Sequence, residues 1–419
     1  MPLRYLFIDM NSFFASCEQQ DKPHLRNRPL AVIPTDAETT SCIAACYRAK
    51  AYGVRTGTPV WEARRLCPGI VFQVADHKRY VVMHHRVVDA VERVLPIETV
   101  MSIDEMTCRL TGDERQPLLA RAIAHRIKNA IYTRVGDQMH CSIGIGPNPL
   151  LAKIAADMQK PNGLTLLTDA EMPQALFQLK LTDFPGVGPR MERRLNLHGI
   201  FTVEQFCRAS AKTLSEIWGS KKLGERWYRL LRGEDVPDTP TRRQTVSHSH
   251  VLPPALRTDE GAFGVLMRLV HKAAARLRKI GYWCGAVSVG ASFWGKERGD
   301  SVWWEEYARV PRCHDTPALV ATAVKLWNRR PWKAGSPGCE RRVPFKVSTV
   351  LSDLVPARSA TPSLFDDDRK GEDISHALDT VNNQFGANVL YLGAMFGMRD
   401  TAPTRIAFTQ IPDFDRRVN

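Results

Sequence analysis

None of the ten cysteines is paired in a Cys-x-x-Cys spacing. That removes the usual signature of zinc ribbons and thioredoxin-like centres, and scattered thiols suit a reducing cytoplasm better than a disulfide framework. No run of about 18 apolar, uncharged residues occurs, which excludes a transmembrane helix. Fixed-period repeats, low-complexity tracts and lipidation motifs are also missing. The opening Met1-Pro2-Leu3-Arg4-Tyr5-Leu6-Phe7-Ile8-Asp9 has no separate apolar core or cleavage site. It reads as a strand ending in an acid, not as a secretory signal.

What the chain has in excess is positive charge. Its 419 residues suggest two to four domains at roughly 150 each, enough to bury several cores without staples. Lys and Arg number 58 against 44 Asp and Glu, a net of +14. From Asp183 to Lys346 the counts are 29 and 16, so 29 − 16 leaves +13 in that stretch. A solvated surface does not require such concentration. A polyanion does, because neutralised phosphates release counterions. A membrane surface is the rival, but no basic amphipathic helix with an anchor accompanies the charge.

Hydrophobic patterning predicts strands over 3–8, 29–34, 99–103, 106–110 and 139–145, and helices over 11–20, 44–52, 79–95, 118–132 and 150–158. Asn11 or Ser12 is the expected helix cap. Residues 1–165 thus follow a βαββαβ order, a mixed sheet with helices on one face. Residues 183–233 carry short helices, glycines and cations, and 235–243 reads as a linker. A second βαββαβ set follows, with strands 245–252, 286–294, 302–309 and 345–354 and helices 259–280 and 316–332. A helix over 374–385 and a strand over 389–396 close the pattern. The fold class is α+β, multidomain.

Asp9 ends the first strand, and Asp104-Glu105 sits between two strands. Adjacent carboxylates in apolar surroundings repel unless a proton or cation lies between them. Hard divalent cations prefer oxygen ligands, and two can clamp a phosphoryl transfer. If the first strand lies beside the 99–110 hairpin, the three acids meet. An Asp-Glu dipeptide in a solvated turn is the plainer alternative.

Four ordered motifs carry a resemblance. Phe7-Ile8-Asp9-Met10-Asn11-Ser12-Phe13-Phe14-Ala15-Ser16-Cys17-Glu18 resembles the opening motif of the Y-family (translesion) DNA polymerases, bacterial DinB/UmuC-like. Ser102-Ile103-Asp104-Glu105 is similar to their second metal motif. Ser142-Ile143-Gly144-Ile145-Gly146, followed by Leu151-Ala152-Lys153-Ile154-Ala155-Ala156-Asp157-Met158-Gln159-Lys160-Pro161-Asn162-Gly163, is similar to a third. Phe184-Pro185-Gly186-Val187-Gly188-Pro189-Arg190 resembles a helix-hairpin-helix turn. The likeness spans roughly residues 3–350.

The resemblance implies a right-hand polymerase: palm 1–22 and 78–165, small fingers 23–77, helical thumb 166–236, little finger 242–354 and tail 355–419. It implies Asp9, Asp104 and Glu105 as catalytic and metal ligands, with the Met10 carbonyl as a further ligand. Two Mg²⁺ are implied, with Mn²⁺ able to substitute. Tyr47, Lys50 and Lys160 are implied against the incoming triphosphate. Many relatives carry Arg where this chain has Lys50, which keeps the charge but loses the bidentate fork. Phe13 and Phe14 would line the nucleotide pocket. Phe14 is the steric gate against a 2′-hydroxyl, and Phe13 is the better core candidate of the pair. Ser41 and Ile43 would roof the nascent base pair.

DNA contacts are implied at Gly186, Gly188, Arg190 and Arg193, and in the little finger at Arg242, Arg243, His248 and Lys346. The tryptophans 283, 294, 303 and 304 suit core packing better than base stacking. Thr361-Pro362-Ser363-Leu364-Phe365-Asp366 resembles a sliding-clamp peptide anchored by Leu364 and Phe365, without the usual leading Gln. Ala377 to Gly386, with Leu390-Tyr391-Leu392-Gly393, resembles the UmuC-like C-terminal segment, as more faintly does the 403–412 stretch. That subgroup implies a recombinase filament and a UmuD-like accessory protein, and mutagenic service in the SOS response. Tyr47 and Lys160-Pro161-Asn162-Gly163 lean instead to the DinB-like subgroup. The expected activity is template-directed deoxyribonucleotide addition across damaged template, in the cytoplasm, without membrane. The rivals are a non-catalytic DNA-binding scaffold, which would have lost the acids, and another two-metal palm enzyme, which would not need the basic region.

Overall fold

In the computed structural model, the described residues are 2–38, 40–238, 242–294, 300–332, 342–360, 369–402, 406 and 411. The chain forms two compact units, Met1–Asp238 with Thr404–Asn419, and Thr239–Pro403.

The first unit begins with β1 (Tyr5–Met10), all six residues buried, and α1 (Phe13–Asp21). Ser12 stands at the helix N-cap in a left-handed conformation (φ 48°), and its side chain makes no capping bond. Asn11 does not cap either; its side chain is drawn to Ser142 Oγ (3.0 Å) and the Asn162 N–H (2.6 Å). A small sheet follows, made of β2 (Leu30–Ile33), β3 (Ala44–Ala45) and, beyond α2 (Tyr47–Ala51) and α3 (Val60–Leu66), β4 (Val71–Val74). The single helix expected over 44–52 is therefore a strand and then a helix. Cys46 divides them, its extended backbone starting α2.

Next come α4 (His77–Glu92), β5 (Ile97–Val100), β6 (Glu105–Arg109), α5 (Pro117–Arg134), β7 (Cys141–Gly146), α6 (Pro149–Met158) and β8 (Leu164–Leu166). The strand order is β5-β6-β1-β7-β8, antiparallel except for the parallel β7–β8 pair. Alternation along β1 divides the faces. Leu6 and Ile8 join the core beneath α4 and α5, with Tyr80, Val87, Ile123 and Ile127. Tyr5 and Phe7 face the other way, onto Ala152 and Ala156 of α6. Helices therefore cover both faces, not one as expected. Gly144 makes this possible, since a Cβ there would come within 2.0 Å of the Ala152 carbonyl oxygen. Asp9 has the parity of Phe7 and so faces α6.

Four helices close the unit: α7 (Pro189–Leu197), α8 (Val203–Arg208), α9 (Ala211–Trp218) and α10 (Lys221–Leu231). Phe206, Trp218 and Trp227 cluster between them. Asn148, fully buried, caps α6 at the Leu151 N–H and donates to the Leu230 and Glu234 carbonyls (2.8 and 3.0 Å), tying these helices to the large sheet.

The second unit contains β9 (Thr245–Val251), α11 (Asp259–Lys279), β10 (Tyr282–Trp294), β11 (Ser301–Cys313), α12 (Thr316–Trp327), β12 (Pro344–Ser352), β13 (Val355–Pro356) and α13 (Arg369–Phe385). Its main sheet, β11-β10-β12-β9, is antiparallel throughout, with α11 and α12 packed on the face bearing Val287, Val289, Val347 and Leu351. Residues 369–402 pack on these helices. Arg278 holds Asp379 with two bonds (2.6 and 2.8 Å), and Arg268 donates to Asn388 (2.5 Å). No strand forms over 389–396. The Asn382 side chain bonds both the N–H and the C=O of Leu390 and fixes a turn, and Gly393–Met395 is a 3-10 turn. In the first unit, Ile406 and Ile411 pack against the core, and the Ile406 N–H donates to His77 Nδ1 (3.4 Å).

Candidate active site and nucleic-acid interface

Pairing of β1 with β6 sets Asp9 directly opposite Glu105. Asp104 lies in the turn just before β6, whose main-chain carbonyl accepts the Met10 N–H (2.9 Å). Its carboxylate accepts from Ser102 Oγ (2.6 Å). The Met10 side chain is buried in the core, so only its backbone can serve the cleft. This register brings Asp9 and Glu105 together, and Asp104 lies near enough to feel the charge of Asp9 and to act on Glu105. Among the described residues, however, no three carboxylates are drawn into one metal-holding cluster.

Two cations enter from α6 and the loop after it. Lys153 Nζ bridges Asp9 Oδ2 and Glu105 Oε1, the latter at 2.6 Å, and lies 3.3 Å from Asp157. Lys160 Nζ is 2.6 Å from both Asp9 and Asp157. Burial pushes the Asp9 carboxyl up, but Lys153 and Lys160 together outweigh it and hold the group below the usual range. Burial raises Asp104, and Asp9 adds to the rise. Glu105 is also raised by burial, with Lys153 opposing. Burial lowers the Lys153 ammonium, but Asp9, Asp157 and Glu105 reverse this and hold it charged.

On α2, Lys50 Nζ lies over the Tyr47 ring, 4.4 Å from its centre. Burial, then Lys160, depresses Lys50; burial, then Asp9 and Asp157, pushes the Tyr47 phenol up to about 12. Both residues therefore feel the charges of the cleft. Phe13 is buried in the core, on the side away from solvent. Phe14 is half-buried and lies on Tyr80, with its edge contact to His77. Ile43 packs partly buried on the core, and Ser41 bridges to Pro59.

The 184–190 turn leads into α7. Gly186 has φ +92°, a conformation that favours glycine. Gly188 stands at the α7 N-cap with nothing within 4 Å of a would-be Cβ, so nothing within the chain requires its smallness. Arg190 and Arg193 are exposed on the same helix. In the second unit, Arg242 and Arg243 are exposed, and Lys346 lies on the sheet face away from the helices. His248 does not share that face. It points to α11, where burial and Lys272, Arg276 and Arg268 lower its pKa to about 4. The tryptophans divide: Trp304 packs towards Trp327 and Trp283 stacks on His314, but Trp303 and Trp294 remain on the open face. Leu364 and Phe365 lie outside the described residues.

Comparison with known proteins gives three family matches. Residues 8–157 match the impB/mucB/samB family, 182–235 the thumb domain of DNA polymerase iota, and 243–364 the impB/mucB/samB C-terminal domain. DNA polymerase IV of Moorella thermoacetica is 31% identical over 392 residues, covering 92% of this chain and 94% of the relative. The chain belongs to the Y-family of DNA polymerases. The Y-family enzyme named DNA polymerase IV in Bacillus anthracis is 26% identical over 406 residues, covering 93% and 92%. A solved Y-family polymerase chimera shares the fold, with TM-score 0.69 and 22% identity over 84% of this chain and 99% of its own.

The Y-family cleft of this chain fits divalent metal by its donor chemistry. Asp9, Asp104, Glu105 and a main-chain carbonyl are all hard oxygen donors, gathered where burial makes unneutralised carboxylates costly. Among the described residues, no helix is long and apolar enough to cross a membrane. Sequence reasoning assigned no role to Lys153, Asp157, Tyr80 or His77. The i,i+4 spacing of Lys153 and Asp157 on one face of α6, with Lys160 just beyond its end, was the available signal; Tyr80 had none.

Proposed function

We propose that this Y-family chain is a template-directed DNA polymerase of the translesion type, extending a primer 3′ end with deoxyribonucleotides by two-metal phosphoryl transfer. The observation that carries this reading is Asp9 facing Glu105 across β1 and β6, beside Asp104. Asp9, Asp104, Glu105 and the Met10 carbonyl would hold two Mg²⁺. When bound, the ions lower the pKa of the primer hydroxyl and neutralise the triphosphate. The chain's own residues position the reactants, which is most of the work in phosphoryl transfer. Lys160, Tyr47 and Lys50 receive the phosphates, and Phe14 lies under the sugar. Phe13 supports Phe14 from the core.

The palm is assigned to 1–22 and 78–165, the fingers to 23–77, the thumb to 166–236 and the little finger to 242–354. Gly186, Gly188, Arg190 and Arg193 take the duplex backbone through main-chain N–H groups and charge, without reading sequence. Arg242, Arg243 and Lys346 track it from the little finger. A sliding clamp binding Leu364 and Phe365, and a recombinase filament with a UmuD-like protein, are the proposed partners. The setting is the cytoplasm, which agrees with the free thiols of the nine described cysteines.

The test is primer extension with Mg²⁺ and four deoxyribonucleotides on undamaged and abasic templates. Wild type extends, and Asp104→Ala loses about 10³-fold or more, as expected when a group stabilising transition-state charge is removed. Tight, salt-sensitive DNA binding without extension by either protein would make the chain a scaffold.

A further inference from the structure

Lys153 sits where its charge is most needed before a metal arrives. Its ammonium joins the two carboxylates that face each other across β1 and β6, using oxygens that a cation would otherwise claim. The side chain is 17% exposed, and its ammonium nitrogen also lies over the Phe7 ring, 5.3 Å from the ring centre. The helix beneath it packs closely on β7, since a Cβ at Gly144 would meet the Ala152 carbonyl. The lysine's four-carbon stem is flexible. Asp157, one turn further along α6, already lies 3.3 Å from Lys153 and shares Lys160 at 2.6 Å. It offers a second seat for the ammonium on the same helix.

We propose that Lys153 is a positioning residue, a resident cation that holds Asp9 and Glu105 together in the nucleotide-free protein and competes with divalent metal for them. This rests on the reading of Asp9 and Glu105 as metal ligands. The competition follows from like charge: a divalent ion entering the cleft meets an ammonium already bonded to its ligands. A nucleoside triphosphate brings negative charge that, with Asp157, draws the ammonium off. Metal and nucleotide therefore load together, and the empty cleft resists metal alone. A purely structural ion pair would give no such dependence.

The test titrates Mn²⁺ into the full chain, following free Mn²⁺ by electron paramagnetic resonance, with and without a non-hydrolysable deoxyribonucleoside triphosphate. Without nucleotide, Lys153→Gln should bind Mn²⁺ at least tenfold more tightly than wild type. With nucleotide the gap should narrow, because wild type gains more. Equal Mn²⁺ affinities for the two proteins without nucleotide would overturn the inference alone. Absence of Mn²⁺ binding in both, even with nucleotide, would overturn the assignment of the acids as well. Thermal melting guards against a misfolded variant. Lys153→Gln should melt below wild type without metal and recover with Mg²⁺, since a ligand that binds the folded state stabilises it. A variant that melts low at every Mg²⁺ concentration would show a merely structural lysine and overturn the proposal.

Discussion

Phe14 lies flat on Tyr80, with ring centres 4.5 Å apart and planes 16° from parallel. Tyr80 is itself fully buried, and its hydroxyl donates to Glu18 (2.7 Å), a buried carboxylate on α1 one turn beyond Phe14. Lys22 takes the other Glu18 oxygen (2.8 Å). The ring proposed to exclude ribonucleotides therefore has a fixed floor. Tyr80→Leu should let Phe14 sink and should reduce discrimination against ribonucleotides by roughly tenfold to a hundredfold, the scale of a lost apolar contact in a pocket. Tyr80→Phe keeps the floor and should keep discrimination, but should cost about 1–3 kcal/mol of stability by removing a donor from buried Glu18. Single-nucleotide insertion kinetics with paired ribo- and deoxyribonucleotides, beside urea melts, separate the two effects.

His84 links α4 to the acidic turn. Its Nδ1 is 2.7 Å from the Ile103 carbonyl, next to Asp104. Burial lowers its pKa to about 4, so it is neutral in the fold at pH 7. In the unfolded chain it takes a proton near pH 6.5. Its stability contribution is therefore complete above about pH 6.5 and is lost as pH falls towards 4, by on the order of 3 kcal/mol. Hydrogen exchange in the 97–109 strands should quicken over that window. His84→Gln should flatten the dependence, and an unchanged pH profile in the variant would refute the assignment.

The exposed pair Arg190 and Arg193 should act by charge alone. Each substitution by Ala should weaken primer–template binding equally on all sequences and lower the salt slope of log K by about one. Fluorescence anisotropy across a salt series measures this. A loss confined to particular template sequences would contradict a backbone contact.

In the second unit, Arg278 is 6% exposed in its side chain and is held by Asp379. Removing one member of such a pair strands the other charge, at a cost of about 3 kcal/mol. Asp379→Ala should therefore loosen residues 369–385 from α11 and α12. Hydrogen exchange in that helix should rise well before exchange in β10 and β12. Uniform change across the unit would mean that the helix is not a separately opening piece.

Much of this site was legible locally. An apolar run closing on Asp9, an Asp-Glu pair between two short strands and a glycine-rich turn ahead of a basic helix are all patterns within a dozen residues. Their chemistry follows from residue type. The elements of both βαββαβ sets were also legible, because periods of 2 and 3.6 are local properties. The 389–396 stretch shows the limit of periodicity. A continuous apolar run suited a strand, but among the described residues no strand pairs with it, and the Asn382 side chain took the main-chain bonds of Leu390.

By itself, then, the sequence determined the three acids, the basic region and most of the helices and strands of the two βαββαβ sets, since each depends on neighbours in the chain. Strand order did not follow from it. The same βαββαβ succession arranges β1 between β6 and β7 in one unit, but gives β11-β10-β12-β9 in the other. Only tertiary pairing set Asp9 against Glu105, some hundred residues away, and only the approach of α6 to Gly144 carried Lys153 between them. A lysine on a helix reads as solvated until the fold puts carboxylates in front of it. Its role depends on which charges share its low-dielectric surroundings, and packing between distant segments decides that.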